Sequence, residues 1–231
     1  MIPATAYVIV GFGAIFVMSV VLHEVAHGYV AYLCGDPTAK LLGRLTLNPI
    51  RHIDPVRTLL MPALFIIMRL PILGGAKPVP VNPYHFRHRV RDDRLVSGAG
   101  VFANLLIAWA LAMLLHLLLR LGLITWDSPH AIVLGMGSIV NILLLVFNLL
   151  PIPPLDGSRL LRSFLPEPIR ENFNRMDRYG IMILYAVILF VPGLGDVIYS
   201  VIAFFWRYVF LHTVGHFWYV VTSFSQLIRG G

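Results

Sequence analysis

Long apolar runs separated by short polar loops organise this chain. Residues 4–33 are apolar on nearly every face. A helix of that length extends ~45 Å, more than a ~30 Å hydrocarbon core requires. Gly35-Asp36-Pro37 ends it. The polar stretch 36–56 follows, and the apolar/polar alternation at 41–47 predicts a small strand near the membrane. Residues 58–73 are apolar but short for a span, with Pro62 inside and Pro71 near the end, so they are expected to dip into the membrane and return or to lie flat on it. Residues 74–81 (Gly-Gly-Ala-Lys-Pro-Val-Pro-Val) read as extended, because proline lacks an N–H and restricts the residue before it.

Two further membrane helices are predicted at 96–119 and 131–150, separated from the preceding loop by the basic stretch 84–95. Pro151, Pro153 and Pro154 break the backbone before Leu155-Asp156-Gly157, and a polar segment with five arginines runs from Arg159 to Arg178. Residues 180–191 and 197–221 are apolar around Pro192-Gly193-Leu194-Gly195-Asp196. Two crossings fit this region, and so does one crossing with an amphipathic helix.

Composition strengthens the membrane reading. Of 231 residues 58% are hydrophobic and only 13% charged, with a mean hydropathy of +0.80. A soluble domain of this size needs more charge to cover its surface. Lipid admits helices or closed barrels, and no barrel-like alternation is present. The expected fold is therefore an all-α polytopic membrane protein of the cell membrane. It has a three-helix core in residues 1–165, additional C-terminal membrane helices in 166–231, and short membrane-associated strands. The first segment lacks a basic leader and is not expected to be a cleaved signal. The net charge of +7 sits in loops beside apolar helices, where it sets topology and meets anionic headgroups; no basic run is interleaved with aromatics, so no nucleic-acid partner is expected. With Cys34 as the single cysteine, no internal disulfide is possible.

The chemistry lies in the first helix. His23-Glu24-Val25-Ala26-His27 is an HExxH motif. Residues four apart leave a helix on one face, one turn apart, which suits two ligands of a tetrahedral zinc. Glu24 is turned ~100° from His23, beside the metal without ligating it, and can take a proton from the attacking water and pass it to the leaving amine. Three ionisable residues within five positions of a membrane helix are costly and usually functional.

Asp156 is the expected third ligand; read alone, Leu155-Asp156-Gly157 favours a turn whose aspartate caps the next helix. Counting crossings favours the ligand. The histidines lie near the C-terminal end of the first helix, and the helices at 96–119 and 131–150 return the chain to the same side, provided 58–73 makes no net crossing. The charges agree. Residues 34–57 carry Lys40, Arg44, Arg51 and Arg57, and residues 69–95 carry Arg69, Lys77, Arg87, Arg89, Arg91 and Arg94, so both loops favour the cytoplasmic side. One zinc per chain, in the cytoplasmic half of the membrane, is the resulting expectation.

These motifs resemble the site-2 protease family, in particular its compact prokaryotic branch without PDZ or CBS domains. The likeness runs over residues 20–160. It is carried in order by His23 to His27, by Asn48-Pro49-Ile50-Arg51-His52-Ile53-Asp54-Pro55, and by Ala76-Lys77-Pro78-Val79-Pro80-Val81-Asn82-Pro83. Gly100-Val101-Phe102-Ala103-Asn104 and the stretch from Phe147 to Gly157 complete it. The resemblance implies zinc on His23, His27 and Asp156, Glu24 as base, a role near the active site for Gly100 and Asn104, and single transmembrane helices as substrates. Asn104 is equally an interhelical hydrogen-bonding residue. Where family members often carry proline after the first glycine and a second glycine after Asp-Gly, this chain has Val101 and Ser158. A helical substrate must be unwound locally, and residues 76–81 with Val79, or the strand near 41–47, offer an edge for that; a rigid connector fits residues 76–81 as well.

Other polar residues carry less. A turn explains Asp54-Pro55 and nearby His52; His85 and His88 sit in a basic surface stretch. His116 and His130 fall far from the expected metal. His212 and His216 have HxxxH spacing without an acidic companion. Asn148 fits either a ligand-orienting or a helix-joining role. The rival functions are a divalent-metal transporter, which has no need of Glu24 and usually shows repeats, and a catalytically inactive membrane-protein binder.

Overall fold

The structure is a computed structural model that describes residues 4–69 and 74–209, without the side chains of 167, 168, 172, 174 and 206–209. The elements in chain order are α1 (Ala4–Leu33), α2 (Thr38–Leu41), α3 (Met61–Ile67, continuing a π-helical turn at Pro55–Leu60), α4 (Arg89–Arg120) and α5 (Pro129–Leu149). They are followed by α6 (Asp156–Arg162), α7 (Glu167–Met176), α8 (Gly180–Phe190) and α9 (Leu194–Val209). Among the described residues three helices, α1, α4 and α5, are long and apolar enough to cross a membrane. The fold is all-α and that of a polytopic membrane protein.

Local chemistry explains the boundaries. α1 ends in a Schellman motif: Gly35 takes a φ of +108°, its N–H donates to the Tyr32 carbonyl, and the Asp36 N–H donates to Ala31. α4 begins at Arg89, seven residues before the apolar run that predicted it. The His88 N–H donates to Asp92 Oδ2 at 2.8 Å, and a carboxylate in the first turn suits the helix N-terminus. Residues 89–95 of the basic stretch thus form the first turns of a membrane helix. α5 starts at Pro129 with the Ser128 hydroxyl accepting from the Ala131 N–H.

The expected strands are a correction, because none occurs among the described residues. At 41–47 the chain leaves α2 through Gly43 at φ +63°, and the Arg44 N–H returns to the Ala39 carbonyl. Alternating side chains there reflect a turn, and no second strand supplies a ladder. Residues 74–82 form an irregular extended strap whose prolines remove the donors a ladder needs. The apolar helix Pro55–Ile67 is too short to span at 1.5 Å per residue. It is started by Asp54, whose Oδ1 accepts from the Val56 and Arg57 N–H groups.

Two compact units divide the chain between Phe16 and Val17 and between Gly100 and Val101. The unit 17–100 packs Ala31, Cys34, Phe86 and Val96 with Val30 and Val81. The other unit joins 1–16 to the residues from Val101 onward. Its centre is α5, of whose spanning window 56% is buried against 17% for α1 and 22% for α4. Small residues allow this. A side chain at Gly11 would meet Val133 at 3.1 Å, and one at Gly137 would meet Ile15 and Leu111. Ser138 donates to the Ala108 carbonyl at 2.8 Å, and Ala108, Ala112, Ile142, Leu145, Val146 and Ile202 close the core between α4, α5 and α9. The apolar C-terminal pair bends by 92° at the break between Phe190 and Leu194, where Gly193 has a φ of +77°. His212 and His216 lie outside the described residues.

Candidate metal centre

His23, Glu24 and His27 lie in the C-terminal half of α1, and both histidines are buried. Their Nε2 atoms converge at 3.2 Å, with ring centroids 4.8 Å apart and planes at 79°. The His27 Nδ1 lies 2.6 Å from the Val96 carbonyl. A carbonyl only accepts, so this nitrogen carries the proton and Nε2 presents its lone pair. Two nitrogens on a tetrahedral zinc, each ~2.05 Å from the metal, stand ~3.3 Å apart. The observed separation fits that requirement, and the backbone partner of His27 is the kind of support that orients metal-bound imidazoles.

Gly100 makes room for this pair. A Cβ there would fall 2.6 Å from His23 Nε2 and closer still to His27 Nε2. We expect Gly100→Ala to displace the imidazoles, lowering zinc content and cleavage together; metal analysis beside a cleavage assay checks this.

Glu24 is held from the strap. Its Oε2 accepts the Val79 N–H at 2.9 Å, while Val79 Cγ1 packs over Gly28, where an added Cβ would approach it at 2.6 Å. The strap is anchored beyond Val79 by buried Asp36, which accepts from the Asn82 N–H, from the Thr38 N–H and hydroxyl, and from His85 Nδ1. Burial alone would push this carboxyl up; the hydrogen bonds from Thr38, Asn82 and His85 outweigh it and hold the pKa below the usual carboxylate value. A lowered folded pKa contributes stability above the unfolded value of ~3.9 that is lost as pH falls through the folded one. Detergent-solubilised wild type is therefore expected to lose melting temperature below about pH 4 more steeply than Asp36→Asn.

Asp156 opens α6 in the other unit and is buried. The helix N-cap is Leu155, with no side-chain cap hydrogen bond, so Asp156 sits one position inside the helix and is not its capping residue. Asn104, one turn beyond Gly100 on α4, is fully buried. Asn148 donates to the Leu144 carbonyl on its own helix. His52 is buried and donates from Nε2 to the Thr46 carbonyl at 2.9 Å; His130 packs against Tyr7.

Comparison with known proteins adds the family. The sequence model described as peptidase family M50 matches residues 123–191. A Bacillus subtilis (strain 168) protein called "Putative zinc metalloprotease YwhC" is 38% identical over 186 residues, covering 78% of this chain and 80% of the relative. The chain belongs to peptidase family M50. Two mycobacterial proteins named Rip2, under the same zinc metalloprotease description, are also similar. The one from Mycolicibacterium smegmatis (strain ATCC 700084 / mc(2)155) is 31% identical over 93% of this chain and 78% of its own. The one from Mycobacterium tuberculosis (strain ATCC 25618 / H37Rv) is 33% identical over 81% and 69%. No solved structure matches.

As a member of M50, the site-2 protease family, the chain is a metalloprotease. The transporter and inactive-binder readings lose ground accordingly. The M50 match encloses Asp156, whereas the HExxH pair lies outside it. Sequence reasoning missed Asp36 and Arg44. Asp36 was read as a helix stop and Arg44 as a topological charge, yet both are buried. The signal available for Asp36 was Asp-Pro-Thr spacing, in which a carboxylate reaches the N–H two residues on.

Proposed function

We propose that this chain is an intramembrane zinc endopeptidase that hydrolyses a peptide bond within or near a transmembrane helix of a membrane-anchored substrate. One zinc per chain is held by His23, His27 and Asp156, and Glu24 is the general base. The observation that carries this reading is the convergence of two Nε2 atoms at zinc-ligand spacing in an apolar helix, beside a glutamate fixed by a backbone N–H. Two imidazoles and a carboxylate make a three-ligand set that keeps a fourth position open, as catalytic zinc requires.

Zinc, when bound, supplies a Lewis acid that polarises the scissile carbonyl and acidifies water. The chain's own groups do the rest. Glu24 takes the proton of the attacking water on its carboxylate and delivers it to the departing amide nitrogen. The Val79 N–H restrains that carboxylate so the base acts from one direction. His27, anchored through Nδ1 on Val96, keeps its donor atom aimed.

Substrate enters this reading as an unwound segment beside Gly100, Asn104 and Val79. Between Lys77 and Pro80, any pairing with substrate runs through carbonyls such as that of Val79. Pro78 and Pro80 have no N–H, and those of Lys77 and Val79 are engaged within the chain. The arginine-rich loops support a site in the cytoplasmic half of the membrane. The test is zinc content of the purified chain together with cleavage of a single-span reporter helix by wild type and by Glu24→Gln. A zinc-free wild type, or a Glu24→Gln variant that cuts at the wild-type rate, sinks the proposal.

A further inference from the structure

We propose that Arg44 is a positioning residue for catalysis. With the His52 backbone, it fixes the Lys77 peptide so that Val79, two residues on, presents its N–H to the Glu24 carboxylate. This rests on the reading of Glu24 as general base.

Lys77 is gripped on both sides. Its N–H donates to the His52 carbonyl at 2.7 Å, and its carbonyl accepts from an Arg44 Nη at 2.8 Å. Arg44 is buried, and its Nε has no hydrogen-bond partner among the described residues. Removing a guanidinium from water for a single carbonyl is costly. The topological role of a loop arginine is served equally well by an exposed one, so burial asks for a further reason.

Proline supplies the link from Arg44 to the base. Pro78 has a fixed φ, and Lys77, preceding it, is restricted to extended backbone. Val79 precedes Pro80 and is restricted in the same way. Orientation set at the Lys77 peptide therefore passes through stiff residues to the Val79 N–H. The far side of the strap is tied at Asn82 to Asp36 at 2.6 Å. His52 is in turn held by its ring, Nε2 on the Thr46 carbonyl. Arg44, His52 and Asp36 form a frame whose output is one N–H aimed at Glu24.

The test uses the full-length chain in detergent, with Arg44→Ala, Arg44→Lys, Val79→Pro and the Arg44→Ala/Val79→Pro double variant. Hydrogen exchange of the strap peptide 74–82 is expected to speed up ~10-fold in Arg44→Ala, with α1 unchanged and Arg44→Lys in between. On a single-span reporter helix that wild type cleaves, Arg44→Ala is expected to lower kcat ~10-fold, with KM within ~2-fold. Zinc is expected to stay at one per chain. Because both substitutions act on one hydrogen bond, the double variant is expected to be no slower than Val79→Pro. Wild-type strap exchange in Arg44→Ala, additive losses in the double variant, or a kcat loss that tracks lost zinc or lost folded protein overturns the proposal. Glu24→Gln separates the two readings. If it still cleaves, the base assignment fails. If it is inactive while Arg44→Ala is normal, only the positioning role fails.

Discussion

Glu24→Gln is expected to lose ~10³-fold in cleavage of a single-span reporter while keeping one zinc per chain, because general base catalysis contributes 10²–10⁴-fold. Glutamine is nearly isosteric and its amide oxygen still accepts the Val79 N–H, so the strap, Gly28 packing and histidine pair have no cause to move. Only the proton-accepting carboxylate is gone. Metal analysis and a cleavage time course on the same preparation separate the two effects. Zinc lost along with activity makes Glu24 a structural partner of the metal site, and activity retained removes it from the mechanism.

The helices and the two histidines were legible because their signals are local. The span from Ala4 to Leu33 is written in predominantly apolar residues, and the HExxH pair needs only four-residue spacing on a helix. The α4 start was missed because five of its first seven residues are charged, whereas the His88–Asp92 contact at the helix start is seen only in the structure. The strand expected at 41–47 failed for a related reason. Alternation describes side chains, whereas the Gly43 turn and the Arg44 return to Ala39 are backbone events without a residue-type pattern. Arg44 and Asp36 carry the same lesson. Each does its work across tens of residues, on Lys77 and on Asn82, and no local spacing encodes that pairing. Gly100 lies between these cases: its small size is visible in sequence, but the reason for it, two imidazoles against α4, is visible only in three dimensions.

Asp156→Ala is expected to purify folded and nearly free of zinc. Two readings of this aspartate compete from sequence, a helix cap and a metal ligand, and they predict different losses. A cap mutated to alanine costs about 1 kcal/mol of stability and leaves metal content untouched. Leu155, however, occupies the cap of α6, and Asp156 stands at the first helical position. There, its charge is favoured by the helix N-terminus without being needed as a cap. Its place is fixed tightly, since a side chain at Gly157 would collide with the Leu149 carbonyl and come within 2.5 Å of the Leu150 oxygen. As a ligand, its removal leaves zinc on two histidines. Losing even an outer partner of a metal ligand weakens binding 10–100-fold, so losing the ligand itself is expected to exceed ~100-fold. Competition against a chelator of graded strength measures that shift. Asp156→His, which restores a donor, is expected to recover part of the zinc and little of the cleavage. Full zinc retention by Asp156→Ala at unchanged affinity breaks the three-ligand assignment and leaves His23 and His27 seeking another partner.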